Sequence, residues 1–301
     1  MRARRAILVG DHRQLPPVFQ ESQDAQAFTD KVDEGDSNIL TKDNLLRFEK
    51  MVTASLFKEH FENADPSIRE RLTVQYRMHP QIMKIVNNFY EGQLECGNPE
   101  KIRKHNLHIE GKNNTLISEK DHVLWIDTSN DLYGNTYKES EERTNKLEAR
   151  LIADTLMKIN EQSRNSGFSQ KNKQNVGVVS FYAAQCRVIR DEIKKVNGGQ
   201  TQFDAIHVEI NTVIRYQGKE KPIILISLVR NDGGPKDKRR SVRANVARYE
   251  FINVAVSRAQ NLLIVFGARN MLEQRDVFLP NMDGPGKTKS QVYRKIFGDL
   301  D

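Results

Sequence analysis

An α/β fold built on a mostly parallel sheet is what this sequence predicts, from two observations. Short runs made of apolar residues and glycine recur along the chain, at Val123–Ile126, Val176–Val179, Ile223–Ile226 and Leu262–Phe266. A strand covered on both faces carries such a run, because neither side of its pleat meets water. Between the runs lie segments whose apolar residues recur three and four positions apart, the spacing of one helix face. Strand and helix in alternation imply parallel pairing with right-handed crossovers.

Taken in order, Ala6–Gly10 is a short apolar run ending at a glycine and predicts a buried parallel strand. Residues 20–50 are polar and acidic around Asp33–Asn38 and predict an insertion or loop. Met51–Phe61 places Val52, Leu56, Phe57 and Phe61 at helical spacing, and Leu72–Gln75 is a short strand candidate. After Pro80, residues Ile82, Met83, Ile85, Val86 and Phe89 mark an amphipathic helix. The strand at Val123–Ile126 precedes a helix over 146–160, with Leu147, Leu151, Ile152, Leu156 and Ile159 on its apolar face. Val176–Val179 is followed by a helix through Ala183–Lys195, and Ile206–Val213 alternates like a strand. The strand at Ile223–Ile226, a helix over 247–259 and the strand at Leu262–Phe266 complete the set. Residues 98–120, 161–175 and 231–245 read as polar connectors.

Bulk composition narrows the function classes. With 38% hydrophobic and 29% charged residues over 301 positions, the chain has material for a real core. A net charge of +7 favours a polyanionic partner. Two cysteines, Cys96 and Cys186, are too few for a disulfide framework or a zinc site, which points to a reducing compartment, cytoplasmic or nuclear. No apolar run reaches the roughly 20 residues of a membrane span, and no signal peptide is expected at the basic start.

Four motifs carry chemistry. In Gly10–Pro17 the Gln14 amide, at a strand's C-terminal end, can hydrogen-bond a phosphate oxygen or an attacking water; a polar turn with a stiff Pro-Pro exit is the alternative. In Gln75-Tyr76-Arg77-Met78-His79-Pro80, Arg77 offers a planar donor fork suited to phosphate and Tyr76 a ring face suited to a base. The same residues also fit a surface arginine and a half-buried tyrosine before a helix started by Pro80, with His79 as a structural hydrogen-bond partner. In Thr212–Glu220, Gly218 permits close approach to a phosphate, Glu220 can accept from ribose hydroxyls and Thr212 can donate to a nucleic-acid phosphate; an ordinary turn is the alternative. Asn253–Ala259 delivers Arg258, as a phosphate-facing group or as a solvent salt bridge. Phe181–Gln185 fits a nucleic-acid contact through Tyr182 and Gln185, or a strand-to-helix turn with core aromatics. The basic run Lys236–Arg243 is a solvated loop or a phosphate contact, and Asn145 with Glu148 forms an N-x-x-E pattern that also suits a helix start.

Together and in this order, the four motifs resemble the C-terminal half of a superfamily 1 helicase, nearest the RNA-surveillance branch of nonsense-mediated decay and its DNA- and RNA-translocating relatives. The resemblance implies a three-layer RecA-like P-loop NTPase fold. It makes residues 1–79 the C-terminal remnant of a first RecA-like domain carrying the insertion 20–50, residues 80–290 a second RecA-like domain, and 291–301 a tail. It implies a γ-phosphate sensor at Gln14, γ-phosphate contacts at Arg77 and Arg258, adenine against Tyr76, nucleotide contacts at Gly218 and Glu220, and nucleic-acid contacts at Tyr182, Gln185 and Thr212. The chain departs from the family pattern at Phe181, where proline is usual, at Ile214, where aspartate is common, and at Glu250-Phe251, where a basic pair is frequent and Arg248 is the substitute at hand.

No G-x-x-x-x-G-K-[ST] loop and no acidic pair suited to a Walker B precedes Gly10. The chain thus reads as half of a motor, inactive alone, with ATP as substrate and most Mg²⁺ ligands in a missing N-terminal half. The expected partners are single-stranded RNA or DNA and the remainder of its own polypeptide, with no membrane and no metal site. The competing reading is a non-catalytic nucleic-acid-binding or regulatory module derived from a helicase.

Overall fold

The computed structural model describes residues 7–15, 56–98, 103–110, 115–231, 244–281 and 285–301. The expected insertion, Ala6, Val52, Pro16-Pro17 and the basic run Lys236–Arg243 lie outside them. Two compact units emerge. One comprises residues up to Arg71 with Pro280–Lys287, and the other Leu72–Leu279 with Thr288–Asp301. The QYRMHP hexapeptide, expected to straddle a boundary at 80, lies wholly in the second.

In the first unit, α1 (Leu56–Asn63) carries the Phe57 and Phe61 rings stacked with centroids 5.8 Å apart. Phe61 also stacks on His12 at 4.9 Å. Ile7–Gly10 form no strand, and Ile7, Leu8 and Val9 are exposed, contrary to the sequence expectation. A strand persists only when its N–H and C=O groups are paired, and no described segment pairs with these residues.

The second unit is organised by five parallel strands: β5 (Val123–Asp127), β6 (Gln174–Ser180), β7 (Ile206–Thr212), β8 (Lys221–Ser227) and β9 (Ala259–Gly267), in the order β5-β9-β8-β6-β7. Ahead of them, β1 (Val74–Gln75) pairs in parallel with β2 (Glu95–Cys96), and β3 (Ile109–Glu110) pairs with β4 (Thr115–Ile117) inside the expected polar connector. Leu107, Ile109 and Ile117 of that connector are buried.

Alternation along the strands supplies two faces. One face, with Val176, Val178, Ile223, Leu225, Leu262 and Ile264, packs on α3 (Lys146–Asn165) and α4 (Ala183–Val196) through Ile152, Leu156, Ile159, Ile189 and Ile193. The other, with Val123, Trp125, Ile226, Leu263 and Val265, meets α2 (Pro80–Asn87), α6 (Tyr249–Val256) and α8 (Val292–Leu300). The result is the three-layer RecA-like sandwich that the motifs' resemblance implied. Between β7 and β8 lies only the single turn α5 (Val213–Tyr216), and a second short turn, α7 (Arg269–Leu272), follows β9.

Two local features differ from the sequence reading. Residues 291–301, expected as a tail, supply α8: its Tyr293 and Phe297 rings pack edge-on to Trp125 at 6.3 and 4.7 Å, and Tyr293 donates to Val246 O at 2.9 Å. Val292, Tyr293, Ile296 and Phe297 fall on one helical face, so the signal was present. Gly177, inside β6, also has a geometric cause. A Cβ there meets Tyr216 Oη at 2.7 Å and Ile224 Cδ1 at 2.5 Å, so glycine lets α5 lie directly against the sheet.

Candidate nucleotide and strand-binding edges

Parallel strands put all their N-termini at one edge of the sheet and all their C-termini at the other. The motifs divide between these two edges. Glu220 and Arg258 immediately precede β8 and β9, whereas Thr212 ends β7 and Tyr182 follows β6. The segment Thr212–Glu220 runs from one edge to the other, roughly 20 Å for strands of this length.

At the N-terminal edge the QYRMHP turn is folded around its own first residue. Gln75 Oε1 accepts from Arg77 N at 2.9 Å and Met78 N at 2.7 Å, while Gln75 Nε2 donates to Met78 O at 3.0 Å. This aims Arg77 outward. Its Nη1 donates to Ser257 O at 3.3 Å, and its Nε pairs with Glu220 Oε2. Gln260 Nε2 donates to the other carboxylate oxygen of Glu220 at 2.7 Å, while Gln260 O accepts from His79 N at 2.9 Å. Gln75 and Gln260 thus position the pair, roles the sequence reading missed, although Gln75 stood within the motif it singled out.

Arg77 and Glu220 remain accessible, with side chains 38% and 43% exposed. An exposed pair of this kind contributes only about 0–1 kcal/mol, so an incoming polar ligand can replace it at little cost. Gly218 adopts φ +81 with open space on the side where a Cβ would stand, a conformation that favours glycine. Tyr76 is exposed, and its ring lies over Gly97, where a Cβ would fall 2.2 Å from it.

Arg258, read from the sequence as a phosphate-facing group or a solvent salt bridge, is turned inward in this structure. It is 2% exposed, and its donors reach Val254 O (2.9 Å), Lys219 O (3.2 Å) and Ser257 Oγ (2.9 Å). With Lys221 N donating to Arg258 O at 3.0 Å, it clamps the Gly218–Glu220 loop to the end of α6.

His79 caps α2 by accepting from Gln81 N at Nδ1, 3.2 Å away. Burial, then the neighbouring His122 and His105, hold its pKa down at about 4. It is therefore neutral near pH 7, as an accepting nitrogen requires, and fits the structural role.

Gln14 lies in the other unit, on a turn where Gln14 N donates to Asp11 O at 3.2 Å and Gln14 Nε2 to Asp11 Oδ2 at 3.1 Å.

At the C-terminal edge the two residues expected to face a strand, Gln185 and Tyr182, are buried in this structure. Gln185 is wholly enclosed. It accepts from Asn145 N at 2.8 Å and donates to Asn145 O at 2.9 Å and Ser227 Oγ at 3.1 Å, so both amide hydrogens are taken up inside the protein. Tyr182 is buried too, with the Arg143 guanidinium 5.7 Å from its ring centre. The turn with core aromatics is what forms here. Thr212, half-buried, stays at the edge.

Beside Gln185 stands the fully buried Glu148. Its carboxyl receives Ser227 Oγ (2.6 Å), Val229 N (2.9 Å), Thr128 Oγ1 (3.3 Å) and Asn145 Nδ2 (3.4 Å). Burial outweighs these donors and pushes its pKa up to about 8. Asn145 caps α3 by accepting from Glu148 N at 3.0 Å. Val229 sits at φ +71, unusual for a β-branched residue and worth on the order of 1–3 kcal/mol of strain. Its carbonyl accepts from Asn145 Nδ2 at 3.1 Å.

Residues 52–270 match the AAA domain family (AAA_12). Among curated proteins, the chain is 29% identical over 311 residues to the DNA replication ATP-dependent helicase/nuclease DNA2 of Xenopus laevis, covering 97% of this chain and 25% of that protein. It is 30% identical over 290 residues to its Bos taurus counterpart, covering 88% and 22%. The chain thus spans about a quarter of the length of these relatives. A solved C-terminal domain of a possible DNA helicase from Lactobacillus plantarum aligns over 64% of this chain and 88% of its own at 9% identity and a TM-score of 0.34, too low to argue from. Among the described residues no helix is long and apolar enough to cross a membrane.

Proposed function

The chain belongs to the AAA domain family and is of superfamily 1 helicase type, and from that premise we propose that it is the second motor domain of an ATP-dependent nucleic-acid translocase. The observation that carries this reading is the gathering of Arg77, Gly218 and Glu220 on one edge of the sheet, with Thr212 on the other. One loop then joins a nucleotide-facing edge to a strand-facing edge.

On this reading Arg77 leaves Glu220 and turns to the γ-phosphate of ATP, where it stabilises the charge that grows in the transition state. Glu220 is then free to accept from ribose hydroxyls, Gly218 admits the phosphates, and Tyr76 offers its outer face to the adenine. Arg258 acts through the loop it clamps; a second-finger role would need its hydrogen bonds to Val254 O, Lys219 O and Ser257 Oγ to break. Gln14 is assigned the γ-phosphate sensor role by its motif. The sequence carries no G-x-x-x-x-G-K-[ST] loop, so the P-loop lysine, and with it the Mg²⁺ ligands, are assigned to another segment. The relatives' names favour DNA as the strand, where the likeness to the RNA-surveillance branch favours RNA; we take DNA as the reading.

The test is ATP turnover with saturating single strand, in a protein joining this chain to a P-loop domain. Arg77→Ala is expected to lower kcat by ~10³-fold with little change in nucleotide affinity, whereas the 301-residue chain alone turns over ATP at background rate. A variant with near-normal kcat would remove Arg77 from the chemistry.

A further inference from the structure

We propose that Tyr133, at the tip of the loop between β5 and α3, is a stacking platform for one base of a single nucleic-acid strand. The proposal rests on the reading above that the C-terminal edge of the sheet faces the strand. With Tyr182 and Gln185 buried, that edge needs its aromatic contact from elsewhere. Among the described residues the exposed Phe, Tyr and Trp rings are Tyr76, Phe278 and Tyr133. Tyr76 belongs to the nucleotide edge and Phe278 sits within a strand (Val277–Pro280) of a separate two-stranded sheet, so Tyr133, in the loop that leaves the C-terminal end of β5, is the one placed for the task.

The loop is built to hold that ring in water. Tyr133 is 89% exposed and its neighbour Leu132 82%. Beneath them Asp131 Oδ1 accepts from Tyr133 N and Asn135 N, both at 2.9 Å. Asp131 N donates to Asn135 O at 2.8 Å, and Gly134 turns the chain at φ +83. The base of the loop is clamped as well. Asn231 Nδ2 donates to Ser129 O (2.9 Å) and Tyr137 O (2.6 Å), and Asn231 N donates to Glu139 Oε2 (2.7 Å). Glu139 in turn pairs with Arg230 at 2.9 Å. A segment tied at its base and beneath its tip loses little further freedom on binding, so an exposed ring on it keeps most of its contact energy.

Two side chains are far too small a patch for a protein partner, which needs about 800 Å² per side. A base needs only one ring face, and the chain's +7 charge suits a polyanion. The Asp131 carboxylate is folded under the tip and the tip itself carries no basic group. The contact is therefore with the base and not with the phosphate.

The experiment titrates a fluorescent oligothymidylate with the 301-residue chain at several salt concentrations. Tyr133→Ala is expected to weaken binding about tenfold, with Tyr133→Phe close to wild type. The slope of affinity against salt stays unchanged, because no phosphate contact is lost. On a strand carrying abasic sites the Tyr133→Ala penalty disappears. Wild-type binding with Tyr133→Ala within about twofold overturns this proposal alone. A penalty that persists on the abasic strand likewise overturns stacking and leaves the tip to a different partner. No binding by the wild type at low salt overturns this proposal together with the strand-facing reading of the edge.

Discussion

Glu148 offers the sharpest physical test of the second unit. It is fully buried, and burial lifts its carboxyl from the ordinary 4.5 to about 8. The folded-state value is raised, so its support of the fold is fully present below about 4.5 and is lost as pH rises through about 8. Over that window the unfolded chain has released a proton that the folded chain retains, and stability falls by about 1.4 kcal/mol per pH unit. Between pH 5 and pH 8 the loss amounts to on the order of 4 kcal/mol. Glu148→Gln is nearly isosteric with the neutral acid but cannot ionise, and its amide N–H₂ takes the place of one accepting oxygen, so the comparison is of pH dependence and not of absolute stability. The expectation is therefore that urea unfolding of the wild type weakens between pH 5 and pH 8 more steeply than that of Glu148→Gln. Glu148→Ala behaves differently. It leaves Val229 N and Ser227 Oγ without their buried acceptor and releases the strained Val229, at a cost of roughly 2–5 kcal/mol at every pH. Parallel pH profiles for the wild type and Glu148→Gln would refute the reasoning, since the group would then titrate alike in both states.

Other expectations follow from individual contacts. Arg258→Ala should lower stability by roughly 2–5 kcal/mol, because Val254 O and Lys219 O lose their donor in a buried site; Arg258→Lys should not restore it, lacking the fork. Turnover lost with an unchanged urea midpoint would instead make Arg258 a finger and not a clamp. Gly177→Ala should cost about 1–3 kcal/mol by driving Tyr216 off the sheet, visible as a lowered thermal midpoint; an unchanged midpoint would show that α5 shifts freely.

How much of this was legible in the sequence differs from element to element. The five parallel strands were: four carry the apolar run of a strand covered on both faces and β7 the alternation of a half-exposed one, and the observed spans differ from the expected ones by at most three residues at either end. The helix over 146–165 was legible for a similar reason, with a capping asparagine at its start. Arg77, Gly218 and Glu220 could be placed in one site because their residue types fit one chemistry. Ile7–Gly10 misled, since an apolar run states only that a strand can form and pairing requires a neighbour.

Strand order, by contrast, was decided by tertiary structure. β9 and β8 lie between β5 and β6 although they follow both in sequence, and this placement rests on which faces the crossovers cover, not on any local pattern. The same long-range packing determined that Gln185 is sealed between Asn145 and Ser227, each about forty residues away, and that Arg258 turns inward onto Lys219. Residue type set what each of these side chains can bond. Which partner each one found, and whether water still reaches it, depended on segments distant in sequence that only the folded chain brings together.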